Sequence, residues 1–288
     1  MAQHYTGPMR FCHRGLAQAA PENTLGAFQG AVDAGCEGIE LDIRMSGDGE
    51  VIVCHDHHLS RLTCGHPTAP SIRHLRDMTW EEISQVELPY ALHTLTEELP
   101  AHSEIENLLI QPNRILGDYQ TAYKTEKRMA HLMRFIDFDR WMSGLERKIT
   151  VEVEFCESGM MPRMMEILEA SPNCENYILF SGHRDIIEDM QRTLRAQGKP
   201  KGLRLGANIR RLDDEMKRYI RDFDLFEVGL NDWKYTRDDV KYLNDRGVQV
   251  LSNLGDYPQW WEEMCSNGSL GFKTNYAAAF TKWWHENH

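Results

Sequence analysis

The sequence predicts an α/β fold in which eight βα units close into a parallel barrel of the TIM type. Short apolar runs alternate with amphipathic segments over most of the chain, and runs of that kind suit strands buried on both faces. The count of such units is eight, and 288 residues is a length that one barrel of eight fills.

The first strand is expected at Arg10–His13. The helix after it carries the clearest signals: Asn23 or Thr24 can cap it, Leu25, Phe28, Ala31 and Val32 form an apolar stripe, and Gly35 is placed to end it. Gly38–Met45 is the second strand. Val51–Cys54 follows the turn Ser46-Gly47-Asp48-Gly49, which folds it back beside that strand and sets it outside the barrel count. The remaining strands are expected at Ile149–Phe155, Tyr177–Phe180, Gly202–Gly206, Leu225–Gly229, Val248–Ser252 and Gly271–Thr274. Helices fill the gaps near Met160–Ala170, Arg184–Gln197, Asp213–Arg221, Arg237–Arg246 and Pro258–Cys265.

Residues 59–148 break this rhythm. The stretch is polar and helix-biased, with capping-box patterns at Thr79-Trp80-Glu81-Glu82 and Thr94-Leu95-Thr96-Glu97. It also carries Tyr119, Tyr123, Met129, Met133, Phe135, Phe138, Trp141 and Met142, too many large apolar groups for a solvated linker. It is expected to be a helical insertion between the second and third barrel strands of a single domain spanning 1–288. A buttress, a lid and a homo-oligomer contact remain open as its role.

The formal charge of −12 argues against nucleic acid or an anionic membrane as a general partner, since both require a basic surface. No apolar run approaches the length of a membrane span, and the first residues hold no signal-peptide core, so no stable membrane insertion is expected and the cytoplasm is the expected location. The 7 cysteines are scattered without a CxxC pair, which suggests neither a disulfide framework nor a zinc knuckle.

Active sites of such barrels lie at the carboxyl ends of the strands, and four clusters fall there. His13-Arg14-Gly15 ends the first strand with an imidazole, a fixed cation and a glycine that admits close backbone approach. Glu40 and Asp42 share one face of the second strand, where two buried carboxylates repel unless a cation compensates them; a divalent metal or a salt-bridged pair would each do so. His55, followed by Asp56, leaves the run that folds back beside that strand. Glu152 and Glu154 share a face of the third barrel strand, and Glu152 could complete a hard-oxygen shell with Glu40 and Asp42. Such a shell suits Mg²⁺ or Ca²⁺ better than zinc and leaves His13 and His55 for proton transfer.

His13-Arg14-Gly15, Pro21-Glu22-Asn23-Thr24, Glu40-Leu41-Asp42, Asp48-Gly49, His55-Asp56 and Leu59-Ser60-Arg61-Leu62-Thr63 stand in the order and spacing of the glycerophosphodiester phosphodiesterase family, which the chain resembles. The resemblance is dense from Phe11 to Thr63, weaker over Leu92–Leu99 and Ile149–Val153, and reduced to Thr274-Asn275 near the end. It implies a TIM barrel and metal-dependent hydrolysis of a small glycerophosphodiester, a small-molecule partner, to glycerol phosphate and an alcohol. Carried over residue by residue, it implies Glu40, Asp42 and Glu152 as metal ligands, His13 and His55 as the acid/base pair, and Arg14 as a phosphate clamp. The family usually has Lys two residues after the third ligand, where this chain has Glu154. Glu154 could act as an additional metal ligand, receive a cationic group of the leaving alcohol, which is the reading preferred, or pair with a basic neighbour such as Arg204, and Arg204 and Lys273 are the candidates to supply the missing positive charge. A phospholipase-D-like or phosphoryl-transferring enzyme and a noncatalytic phosphodiester-binding relative are the alternatives.

Overall fold

The computed structural model describes residues 5–63, 73–90, 128–230 and 235–288. In chain order the strands are β1 (Met9–His13), β2 (Gly38–Met45), β3 (Val51–Val53), β4 (Leu88–Pro89), β5 (Met129–Ala130), β6 (Met133–Arg134) and β7 (Thr150–Phe155). They continue as β8 (Tyr177–Phe180), β9 (Arg204–Ile209), β10 (Glu227–Leu230), β11 (Gln249–Ser252) and β12 (Gly271–Thr274). Around the barrel the order is β1, β2, β7, β8, β9, β10, β11, β12 and back to β1, every neighbour parallel. The expected closed barrel of eight is thus the observed fold.

Alternation along the strands sorts the side chains into two layers. Ile39, Leu41 and Ile43 of β2 and Val151, Val153 and Phe155 of β7 pack outward in one continuous core with Phe28, Phe135 and Phe138 of the surrounding helices. Each such fully buried side chain contributes roughly 1.5–3 kcal/mol of transfer free energy. The intervening residues, Glu40, Asp42, Glu152 and Glu154, are left to the interior. In register, Glu40 lies beside Glu152 and Asp42 beside Glu154. The apolar face of the barrel wall therefore supports a strongly acidic inner face.

β3 pairs antiparallel with the overhang of β2, as the Asp48-Gly49 turn predicts, and β6 extends that ladder. The outer side of β3 is covered by a small second core in which Ile52, Leu59, Leu62, Leu75, Ile83 and Leu132 meet. Within the described part of the insertion, Thr79 caps the helix Trp80–Ser84 with the full capping box. The second capping box, Tyr119 and Tyr123 lie outside the described residues. Helix Phe135–Met142 was assigned to the insertion by sequence, yet Phe135, Phe138 and Met142 pack in the main core, Phe138 against Phe28. This helix thus packs on the barrel wall, while β6 before it pairs with β3.

Three other expectations shift. β9 runs from Arg204 to Ile209 rather than from Gly202 to Gly206, because Gly202 takes a left-handed φ of 84° and ends the turn before the strand. Leu25 is 45% exposed, since the helix Leu25–Asp33 begins with that residue facing out and buries Ala27, Phe28 and Ala31 instead. A final helix, Ala277–Asn287, closes the last βα unit through Ala277 and Phe280; its tryptophans blur the apolar stripe that would have announced it.

Candidate active site

A cavity of about 340 Å³ opens at the carboxyl ends of the strands. Its wall includes His13, Arg14, Glu40, Glu154 and Lys273, together with Asn208 and Asn253. One ligand oxygen each from Glu40, Asp42 and Glu154 lie within 4.8 Å of one another. Glu40 and Asp42 are buried, Glu154 partly so.

The backbone around Arg14 shapes this corner. Arg14 takes a left-handed φ of 59°, which turns its N–H onto Glu40 Oε2 at 2.9 Å. Gly15 follows with φ 84°, and a Cβ there would stand 2.7 Å from the Ala27 backbone, so the turn closes only around a glycine. The Arg14 guanidinium reaches Asp42 Oδ2 at 3.1 Å and Glu22 at 2.9 Å. Asn23, itself at φ 56°, donates from Nδ2 to Asp42 Oδ2 at 2.8 Å.

These partners divide the carboxylates electrically. Burial pushes the Glu40 carboxyl well up, with Asp42 adding to the rise. Burial acts on Asp42 in the same sense, but Arg14, His55 and His13 outweigh it and hold that carboxyl below the usual range. Burial and Asp42 push Glu154 up. A cluster of this kind, hard-oxygen donors strained by mutual repulsion, is what a divalent cation relieves.

Two imidazoles flank the cluster. His13 ends β1 with Nδ1 3.1 Å from Asn275 Oδ1 and Nε2 4.0 Å from Glu40 Oε2. Asn275 is fixed in turn, donating from Nδ2 to Asp256 Oδ2 and from its N–H to Asp256 Oδ1, both at 2.6 Å. That leaves the Asn275 oxygen to accept, so His13 carries its proton on Nδ1 and a lone pair on Nε2. Burial and Arg14 push the His13 pKa down to about 4. His55 lies outside the cavity wall, 42% exposed, with Nδ1 2.8 Å from Asp56 Oδ1. Arg61 clamps Asp56 at 2.7 Å and Glu22 at 2.6 Å, so one chain of ion pairs runs from His55 through Asp56, Arg61, Glu22 and Arg14 to Asp42.

Three sequence expectations are relocated. Glu152, expected as the third ligand, lies deeper in the barrel, fully buried, with Oε1 3.0 Å from Lys273 Nζ. Glu154, read as a metal ligand or a contact of the leaving alcohol, has an oxygen within 4.8 Å of those of Glu40 and Asp42. Alternation puts both glutamates on one face, with Glu154 two residues nearer the carboxyl end of β7. Arg204 opens β9, stacks its guanidinium 4.7 Å over the Phe226 ring, and is not part of the cavity wall. Lys273 does line the wall. Asn23 reads only as a possible helix cap, and the sequence gives neither Asp256 nor Asn275 a part in the site. Their strand-end positions were the signal available, and the bonds that give them work reach across 18 or 19 residues or more.

Comparison with known proteins follows from this geometry. The model of the glycerophosphoryl diester phosphodiesterase family matches residues 13–265. A glycerophosphodiester phosphodiesterase of Caldanaerobacter subterraneus is 33% identical over 99 residues, covering 34% of this chain and 38% of that protein. The curated relatives are matched over only 21–40% of their own length. Among solved structures, a glycerophosphodiester phosphodiesterase of Thermotoga maritima is 19% identical with a TM-score of 0.63, covering 97% of this chain and 100% of its own. A phosphodiesterase of Oleispira antarctica in complex with the product sn-glycerol-3-phosphate is 17% identical with a TM-score of 0.69, covering 97% of each chain. At these identities the structural likeness is one of fold.

Proposed function

Since the chain belongs to the glycerophosphoryl diester phosphodiesterase family, we propose that it hydrolyses a small glycerophosphodiester to glycerol phosphate and an alcohol, using one hard divalent cation and two histidines. The observation that carries this reading is the cluster of Glu40, Asp42 and Glu154 within 4.8 Å, set beside an imidazole whose Nε2 is free to take a proton. Three carboxylates with no nitrogen or sulfur donor among them suit Mg²⁺ or Ca²⁺. When bound, such an ion supplies Lewis-acid stabilisation of the charge that builds on the phosphoryl oxygens.

The chain's own residues do the rest. Arg14, held by Asp42 and Glu22, presents a fixed cation at the cavity wall to a nonbridging oxygen, and Lys273 adds positive field from the neighbouring strand β12. His13, neutral and oriented by Asn275, exchanges a proton through Nε2. His55, held on Nδ1 by a carboxylate, exchanges the second. One imidazole thereby takes the proton of the attacking nucleophile, and the other gives a proton to the departing alkoxide.

Support for a small water-soluble substrate comes from the size of the cavity, about 340 Å³, and among the described residues no helix is long and apolar enough to cross a membrane. Assay of glycerophosphodiesters bearing choline, ethanolamine, inositol, glycerol and sugar head groups, with and without added divalent cation, tests the reading. Release of glycerol phosphate from at least one is expected. Release of a phosphorylated head group with free glycerol, or capture of the phosphoryl group by an added alcohol in place of water, would overturn it.

A further inference from the structure

Asp256 lies in the turn after β11, 4% exposed, against the end of β12. The approach is close: a Cβ on Gly255 would stand 2.1 Å from the Lys273 carbonyl oxygen, so the two segments meet only around a glycine. Asp256 Oδ1 accepts from the Thr274 hydroxyl at 2.7 Å and from the Asn275 N–H at 2.6 Å, and Oδ2 accepts from Asn275 Nδ2 at 2.6 Å. Thr274 Oγ1 also accepts from the Tyr276 N–H at 2.9 Å, which commits its own proton to Asp256. The backbone of Asn275 is held as well, its carbonyl accepting from Gln18 Nε2 at 2.8 Å. Every bond to this carboxylate therefore comes from a fixed donor.

The consequence falls on His13. An ionised carboxylate only accepts, so Asn275 turns its amide nitrogen to Asp256 and its oxygen to His13 Nδ1, 3.1 Å away. An amide in place of the carboxylate would reverse this: its nitrogen would donate to Asn275 Oδ1, the Asn275 amide would flip, and Asn275 Nδ2 would donate to His13 Nδ1. The ring proton would then move to Nε2. We propose that Asp256 is a positioning residue for the reaction, which acts through Asn275 to keep the His13 proton on Nδ1 and so leaves Nε2 as the nitrogen able to accept one. This rests on the part given to His13 above. It adds the group that decides which face of the ring does the work.

The test reads the tautomer by nitrogen NMR, since the protonated and bare nitrogens of a neutral imidazole have well-separated shifts; the His13 signals are identified by their loss in His13→Gln. At about pH 8, where an imidazole is ordinarily neutral, the parent chain is expected to show Nδ1–H. Asp256→Asn is expected to show Nε2–H, with kcat lowered about a hundredfold and KM within a few-fold on the glycerophosphodiester that the parent chain hydrolyses fastest. Asp256→Asn combined with Asn275→Asp exchanges the two groups, puts an acceptor back on Nδ1, and is expected to restore Nδ1–H. Thr274→Val removes one bond to the same carboxylate without changing its charge, and is expected to lower Tm with the tautomer unchanged. Nε2–H in the parent chain, in the exchanged pair or in Thr274→Val would overturn the proposal, as would Nδ1–H retained in Asp256→Asn or an inverted tautomer with parental kcat. Failure of both Asp256→Asn and the exchanged pair to fold would overturn it too, since the exchange preserves every bond described above. A parent chain that hydrolyses no glycerophosphodiester would instead refute the proposed function, on which the tautomer measurement does not depend.

Discussion

Asn23 holds Asp42 from two sides: its Nδ2 donates to Asp42 Oδ2 at 2.8 Å, and its Oδ1 accepts from the Asp42 N–H at 3.3 Å. It does so from a left-handed backbone at φ 56°, a conformation that asparagine tolerates better than other side chains. Asn23→Ala should lose both the bond to a buried charge, roughly 1.5–3 kcal/mol, and the tolerance for that backbone. Asn23→Gly loses the bond but fits the backbone. Denaturant unfolding should therefore rank the glycine variant above the alanine variant by about 1 kcal/mol, with both below the parent; equal midpoints would show that the backbone conformation carries no strain.

The histidines make a kinetic prediction. His13→Ala and His55→Ala should each lower kcat by about a hundredfold or more with the fold retained, which is the usual worth of a positioned acid or base. Circular dichroism establishes the fold and initial rates establish the loss. A variant with near-parental turnover would remove that histidine from the chemistry.

Asp56 makes a pH prediction. Burial raises its carboxyl, but the bonds to His55 and Arg61 outweigh burial and hold it well below the ordinary carboxylate range. A group whose folded pKa is depressed contributes stability above its unfolded value of 3.8, and that contribution drains away as pH falls through and below it. Asp56→Asn should thus be less stable than the parent at neutral pH, and the difference should narrow as pH falls from 5 towards about 3. Denaturant midpoints across that range decide it: a constant difference would place the Asp56 contribution in packing rather than charge.

Glu154 and Glu152 separate the two levels of the barrel interior. Glu154→Gln should weaken divalent-ion affinity by about tenfold or more, because it removes a charged oxygen donor from the triad. Glu152→Gln should leave that affinity within a few-fold of the parent, since its carboxylate is committed to Lys273. Calorimetric titration distinguishes them, and the reverse ranking would restore Glu152 as the ligand.

Much of this site was legible in the sequence because barrel geometry makes polar residues at strand ends conspicuous. His13 ends β1, and Glu40 and Asp42 lie on β2, the strands that periodicity marks in the sequence. Periodicity puts Glu152 and Glu154 on one face, and the contact it could not show is that of Glu152 with Lys273, which arrives from the last strand. The same holds for Arg204: a charge at the start of a strand reads like one at its end until the strand's bounds are known. The boundary of the insertion was hidden too, because the aromatic residues of Phe135–Met142 serve a barrel core as well as they would serve a separate one.

The central claim, a cation-assisted hydrolysis at the mouth of this barrel, is most directly tested by a phosphorus NMR time course on a mixture of glycerophosphodiesters with Mg²⁺ or Ca²⁺ present, then with excess chelator, then with the cation restored. The account predicts a growing glycerol phosphate resonance that stops on chelation and resumes on restoration. Hydrolysis that continues at full rate in chelator, or no hydrolysis of any diester with either ion, would contradict it.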